Sequence, residues 1–265
     1  MRQTDGAAHQ MHRDIATFVR ARPPILRSGA PLAVVLAEDE VERESTLRHL
    51  LKIGFPAVVL LCPEPPQLSS DLVDRVTPVR HDAARDGTLP AALTALIPAV
   101  PDGTWLHGCH NAEYLFYPFC ETRSVSELLA FHAEERRSAM VATVVDVYAA
   151  DLAAHPLGVD RETAHFDGQG YYALDREDPE RDYAPRERQI DIYGGLRWRF
   201  EEHVPWERRR IDRVALFRAR PGLRMGEDHT LNDNEMNTIQ CAWHRNLTAA
   251  VVSFRTAKAL RMNPG

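Results

Sequence analysis

Apolar positions in this chain gather into short runs separated by polar stretches. The first clear run is Leu32-Ala-Val-Val-Leu36, preceded by the turn signal Ser28-Gly29 and followed by Glu38, Asp39 and Glu40. Its length and β-branching predict a buried strand. From Glu38 to Lys52 the apolar residues Val41, Leu47, Leu50 and Leu51 fall at near-helical spacing, and Gly54 follows as a stop. Ala57-Val-Val-Leu-Leu61 is a second buried strand, closed by Pro63, Pro65 and Pro66. Strand, helix and strand with short links make a βαβ unit, whose crossover is right-handed. The alternation predicts a helix over Leu68–Asp74, a strand over Val76–Arg80, a helix over Leu89–Ile97 and a strand over Thr104–His107. A helix over Val125–Ala133, capped by Ser124 or Ser126, and a strand over Ala139–Tyr148 holding one acid, Asp146, complete this part. The expected fold class is therefore α/β, with an open, mostly parallel sheet flanked by helices.

The periodicity fades over residues 151–190, which are polar and rich in Asp, Arg, Tyr and Pro. A long irregular stretch in a compact domain is usually a functional or flexible loop. Beyond it lie the turn Gly194-Gly195, the basic run Arg208–Arg210, a strand-like Val214–Phe217 and the apolar run Ala249–Phe254. Residues 1–28 read as a polar, weakly helical lead-in ending after Pro23-Pro24. The expected organisation is this lead-in, an α/β half over 29–150, and a more irregular half of the same domain over 151–265.

Composition narrows the function classes. With 265 residues, 44% hydrophobic and 26% charged, the chain has an ordinary globular balance. A net charge of −6 disfavours a nucleic-acid partner. Lysine accounts for only Lys52 and Lys258 among 32 basic residues, a skew better matched to codon composition than to a device for binding anions. No apolar run approaches the roughly 18 residues of a membrane span, and the N-terminal stretch lacks the apolar core of a secretory signal. Cys62, Cys109, Cys120 and Cys241 form no C-x-x-C pair, which predicts reduced thiols, a cytoplasmic location and no structural zinc.

In open α/β sheets, ligands bind outside the carboxyl ends of the strands. That rule selects Ala37–Glu40, Cys62–Glu64, Gly108–Glu113 and Asp146–Tyr148. His110, Glu113 and neighbouring imidazoles can hold a divalent cation; the plainer alternative is a strand-end loop whose polar side chains bond to backbone. Tyr193-Gly-Gly-Leu-Arg197 offers close backbone approach at Gly194 and Gly195 and a guanidinium for phosphate at Arg197, or simply a turn between strands. Gly226-Glu-Asp-His229 places Glu227 and Asp228 beside an imidazole, able to serve as general base or metal ligand, or as a solvated acidic turn. No G-x-S-x-G, Walker or G-x-G-x-x-G pattern is present.

Taken in order, these segments resemble a bacterial family 2-type glycosyltransferase of the GT-A fold. The branch it resembles carries an asparagine–glutamate start, a D-x-D-E-F-L-type segment and a later G-G-x-R. The similarity runs from Val34–Glu40 through His49–Phe55, Trp105–Pro118 with its Glu113-Tyr-Leu-Phe-Tyr-Pro118, Val145–Tyr148, Tyr193–Arg197, Val214–Leu216 and His229 to Val251–Phe254. It implies transfer of a sugar from a nucleotide-sugar donor to an acceptor hydroxyl, with inversion, in the making of a surface glycan or polysaccharide. Glu38, Asp39 and Glu40 would meet the nucleotide together with Gly194, Gly195 and Arg197, and Asp228 or Glu227 would be the base. The partners implied are the donor and a glycan or other hydroxyl acceptor, with no integral membrane segment.

The departures fall on the chemistry. The D-x-D positions, whose carboxylates hold a cation on the donor diphosphate in the family, are here His110 and Ala112, followed by Glu113. Cys62-Pro-Glu-Pro65 replaces a polar turn, and the first motif's asparagine is Asp39. A mixed site of His110, Glu113 and His229, holding Mn²⁺ or Mg²⁺, is one expectation. Arginines, Arg197 first, stabilising the diphosphate without metal are another. A glycosyltransferase-like binding module without catalysis is a third, and a metal-dependent hydrolase is disfavoured because H-E-x-x-H spacing is absent. A strand-end position for Glu113 predicts that Glu113→Ala abolishes transfer without unfolding the chain.

Overall fold

The structure is a computed structural model, which describes residues 11–83, 85–239 and 248–262. Two short helices, α1 (Ile15–Ala21) and α2 (Pro24–Arg27), lead into β1 (Leu32–Leu36), α3 (Arg43–Lys52), β2 (Val58–Cys62), β3 (Val76–Arg80), α4 (Thr88–Leu96) and β4 (Trp105–His110). There follow β5 (Glu113–Phe116), α5 (Val125–Glu134), β6 (Ala139–Ala149), β7 (Ala164–Phe166), β8 (Tyr172–Asp178) and β9 (Ala184–Tyr193). The described chain finishes with α6 (Leu196–Arg199), β10 (Asp212–Arg218), β11 (Ala249–Ser253) and α7 (Arg255–Met262).

Among the described residues, one nine-stranded sheet runs β3-β2-β1-β4-β10-β6-β11-β5, with β7 on β6, and β8 pairs with β9 as a separate ribbon. β3, β2, β1 and β4 are parallel, as are β6 and β11, while β10 is antiparallel to both neighbours and β5 to β11. The α/β class is as expected, but the sheet is mixed. Two residues link β4 to β5, yet three strands lie between them, so this half of the sheet curls back on itself.

The apolar runs of β1 and β2 are buried on both sides because helices cover both faces. Ala33 and Val35 point toward Leu47 and Leu50 of α3 and Val125, Leu128 and Leu129 of α5. Leu32, Val34 and Leu36 point toward Phe18 of α1 and Leu89, Leu93 and Leu96 of α4. Gly108 lets α4 settle on β4: a methyl there would lie 2.5 Å from Leu93 Cδ1. Of the two caps expected for α5, Ser124 serves, in a reciprocal capping box with Glu127.

Three expectations change. Leu68–Asp74 is a series of turns, since only Leu72 is buried there and the prolines before it favour extended backbone. The strand after Thr104 continues to His110, and Glu113–Phe116 is a strand as well, so the polar segment joins two buried strands by Asn111 and Ala112 and is not an open loop. Residues 151–190 contain β7, β8 and most of β9; exposure on both faces of the ribbon removed the apolar alternation that marks a strand. Cys241 lies outside the described residues.

Candidate functional site

The strand directions gather chemistry at one edge. Leu36 is in register with His110 and Asp146 with Ser253. The antiparallel β10 begins at this same edge, contributing Asp212 and Arg213. The chain departs from β1 to β2 on one side and returns as β4 on the other, the topological switch point where open sheets bind ligands.

Glu113 sits at the centre and is 1% exposed. Arg213 grips both its oxygens, Nη2 to Oε2 at 2.7 Å and Nη1 to Oε1 at 3.2 Å. The His110 amide donates to Oε2 at 2.8 Å and Ser253 Oγ to Oε1 at 3.2 Å. Burial pushes this carboxyl up, but Arg213 and His110 outweigh it and hold it well below the usual range. The His110 ring is 4% exposed; its Nδ1 lies 3.5 Å from Glu113 Oε2 without a hydrogen bond, and its centroid is 6.5 Å from that of His229. Burial first, then neighbouring arginines, depresses both imidazoles, so both are neutral near pH 7.

Asn111, fully buried, ties the β1–α3 loop to this edge. Its Oδ1 accepts the Glu38 N–H at 3.0 Å, and its Nδ2 donates to Asp39 Oδ1 at 2.6 Å and the Val41 carbonyl at 2.8 Å. From α7, Arg255 pairs with both oxygens of Glu38 (2.6 and 2.8 Å), and Lys258 with both of Asp39 (2.8 and 3.0 Å). Sequence reasoning selected the segment holding Asn111 without giving that residue a role, and missed Arg213, Arg255 and Lys258. Their partners lie about 70 to 220 residues away, and no local spacing signals such pairs.

The residues expected at a nucleotide fare differently from one another. Glu38 and Asp39 are at the edge but already ion-paired; Glu40 points outward against Arg43. Gly194 and Gly195 both have positive φ and pack under Tyr171, where a methyl on Gly194 would come within 2.3 Å of the ring. They turn the chain from β9 into α6. Arg197 does not reach toward a ligand. Its Nε and Nη2 bond Asp146 at 3.1 and 3.4 Å and its Nη1 the Arg210 carbonyl at 2.5 Å, so it latches the end of β6 to the segment before β10.

Asp228 is half exposed, accepts from Thr230 Oγ1 at 2.8 Å and meets Arg210 at 3.3 Å. Burial raises its carboxyl, but Thr230 and Arg210 bring it below the ordinary value. Glu227 is exposed, its side chain lying over Gly87. Beside the edge a cleft of about 470 Å³ opens at the start of α3, lined by Glu40, Glu42, Arg43, Ser45 and Arg161 among others.

The donor set expected for Mn²⁺ or Mg²⁺ does not fit. His110, Glu113 and His229 are near one another, but both Glu113 oxygens are engaged by a guanidinium whose charge opposes a second cation. Among the described residues, no group of three or more His, Cys, Asp and Glu side chains is placed to hold a metal ion. No described helix is long and apolar enough to cross a membrane. Comparison with known proteins returns no matching family model and no significantly similar curated protein.

Proposed function

We propose that this chain is a glycosyltransferase-like protein of GT-A type that binds a nucleotide-sugar at the carboxyl edge of its sheet and transfers the sugar to an acceptor hydroxyl. The observation that carries the reading is the convergence of the β1–α3 loop, the His110–Glu113 turn, the start of β10 and α7 at the switch point beside an open cleft. In this reading the nucleoside enters the cleft at the start of α3. The diphosphate is met without metal by Arg255, whose Nη1 makes no hydrogen bond among the described residues, with His110 and His229 as neutral donors. Asp228, kept ionised by Arg210 and Thr230, receives the proton of the acceptor hydroxyl as the bond from the sugar carbon to the diphosphate breaks.

Melting curves with UDP, GDP and CDP, each with Mn²⁺ or with a chelator, test this. A nucleotide at about 100 times its dissociation constant adds roughly 2.7 kcal/mol. The reading expects a shift that survives the chelator and is lost in Arg255→Ala. A shift only with Mn²⁺ would overturn the metal-free assignment. A second reading, a non-catalytic binding module, is favoured by one observation: the Asp228 carboxylate, held low by Thr230 and then by Arg210, is a weak base. Nucleotide binding without turnover of any nucleotide-sugar would select it.

A further inference from the structure

Many arginines of this chain are spent on carboxylates, as Arg176, Arg197, Arg213 and Arg255 are. The N-terminal helical pair differs. Arg13 precedes α1, Arg20 is in its last turn, Arg22 caps it and Arg27 closes α2. All four are exposed, and none makes an ion pair or a side-chain hydrogen bond among the described residues. Asp14 is the one acid between residues 11 and 37, and it is occupied as the cap of α1, accepting from the Thr17 N–H at 2.6 Å. Residues 11–37 therefore carry a charge of +3 in a chain of net −6.

The elements packed against the pair do not cancel this charge. Ile15, Phe18 and Val19 turn inward onto the cluster that holds Leu89, Leu93 and Leu96 of α4. α4 and the turn after it, residues 88–101, contain no charged residue and reach the surface at Ala91 and Pro98. β3, joined to this segment by the His12 N–H on the Pro78 carbonyl at 3.0 Å, adds only Arg80, which faces Glu64 at 3.7 Å. One flank of the sheet is thus positive and otherwise uncharged, on a chain that is negative in sum. The chemistry of the flank selects among anionic partners. Single-stranded nucleic acid needs rings to stack on, and Phe18, the one aromatic residue of α1, α2 and α4, is fully buried. Reading a duplex needs an element that enters a groove, whereas α1 is seven residues long and seated on the sheet along Ile15, Phe18 and Val19. A protein interface is anchored by large side chains in pockets, and here those side chains face the core. Lipid headgroups require only cations spread over an uncharged surface.

We propose that the α1–α2 flank, through Arg13, Arg20, Arg22 and Arg27, is a peripheral docking surface for an anionic lipid bilayer. Attachment is electrostatic and reversible, because a few cations without an inserted apolar chain give weak membrane affinity. It is independent of the sugar-transfer reading, since the cleft beside α3 lies on the other face of the sheet. The test is sedimentation of the full chain with phosphatidylcholine vesicles containing phosphatidylglycerol, against vesicles of phosphatidylcholine alone, at low and at high salt. Binding is expected to the anionic vesicles only, and to be lost at high salt. Each arginine at such a surface is worth about fivefold in partition. The combined variant Arg13→Gln, Arg20→Gln, Arg22→Gln, Arg27→Gln should therefore bind about a hundredfold or more weakly, at an unchanged melting temperature. Arg13→Lys, Arg20→Lys, Arg22→Lys and Arg27→Lys together should preserve attachment, as should Arg136→Gln with Arg181→Gln, which removes two exposed cations elsewhere. No sedimentation at millimolar anionic lipid overturns the surface, as do equal binding to neutral vesicles and full retention by the four-glutamine variant. Tighter binding to a DNA duplex than to the vesicles, lost in that same variant, would overturn the choice of a bilayer as the partner.

Discussion

A carboxylate stripped of water must find charge or donors elsewhere, and Glu113 finds Arg213, Ser253 and the His110 amide. This changes what its removal should do. From sequence, a strand-end glutamate looked dispensable for folding; in the structure Glu113→Ala leaves a buried guanidinium uncompensated. We expect it to cost about 3–5 kcal/mol, measured by denaturant unfolding, so lost activity in that variant would not by itself identify a catalytic role. Retention of wild-type stability would refute the buried pair. His132 of α5 presents the opposite case: it is buried, and neither ring nitrogen has a hydrogen-bond partner. His132→Leu should stabilise by on the order of 1 kcal/mol.

The same residues set the acid response. Burial lowers His107 and His132 to about 4, and His110 and His229 are depressed too. A histidine whose folded pKa lies below its unfolded value of about 6.5 binds its proton more readily when unfolded. Its stabilising contribution is therefore complete above that value and drains away as pH falls toward the folded pKa. Melting temperature should decline from about pH 6.5 toward 4, with Glu113 adding to the loss as pH falls below about 4.3, its unfolded value. His132→Leu should flatten the upper part of that decline; an unchanged slope would mean that His132 does not titrate with unfolding.

At the scale of elements, the apolar runs made β1, β2, β3, α4 and the core of β6 readable, because each is covered on both sides by helices or loops and needs no polar partner. What escaped was polar and non-local. β4 was cut short at His107, since a strand ending His-Gly-Cys-His looks exposed until its burial against β1 and β10 is seen. The candidate site was legible only as a place: His110, Glu113, His229, Glu38 and Asp39 do gather, but the cations that pair with Glu113, Glu38 and Asp39 come from β10 and α7. Arg197 was visible as a cation near a glycine turn, yet nothing local revealed that Asp146 would claim it. Gly108 yields a test of how α4 is seated. A methyl at 2.5 Å from Leu93 must displace the helix, so Gly108→Ala should cost about 1–3 kcal/mol, with the loss reduced when Leu93→Ala makes room.

For the molecule as a whole, the order in which strands occupy the sheet differs from the order in which a ribosome makes them. β5 and β6 are complete by residue 149, but the slot between them stays open until β11, residues 249–253, slides in and pairs with both. During synthesis the facing margins of β5 and β6 must therefore wait through roughly a hundred further residues, which at ~5–20 residues per second is several seconds. Unpaired margins are templates for other chains. A chain shortened at residue 248 should be captured by chaperones or precipitate, where one shortened after β11 and α7 remains in solution. The late strand thus acts as a quality gate, admitting the molecule to its native state only once nearly all of the described chain has been made.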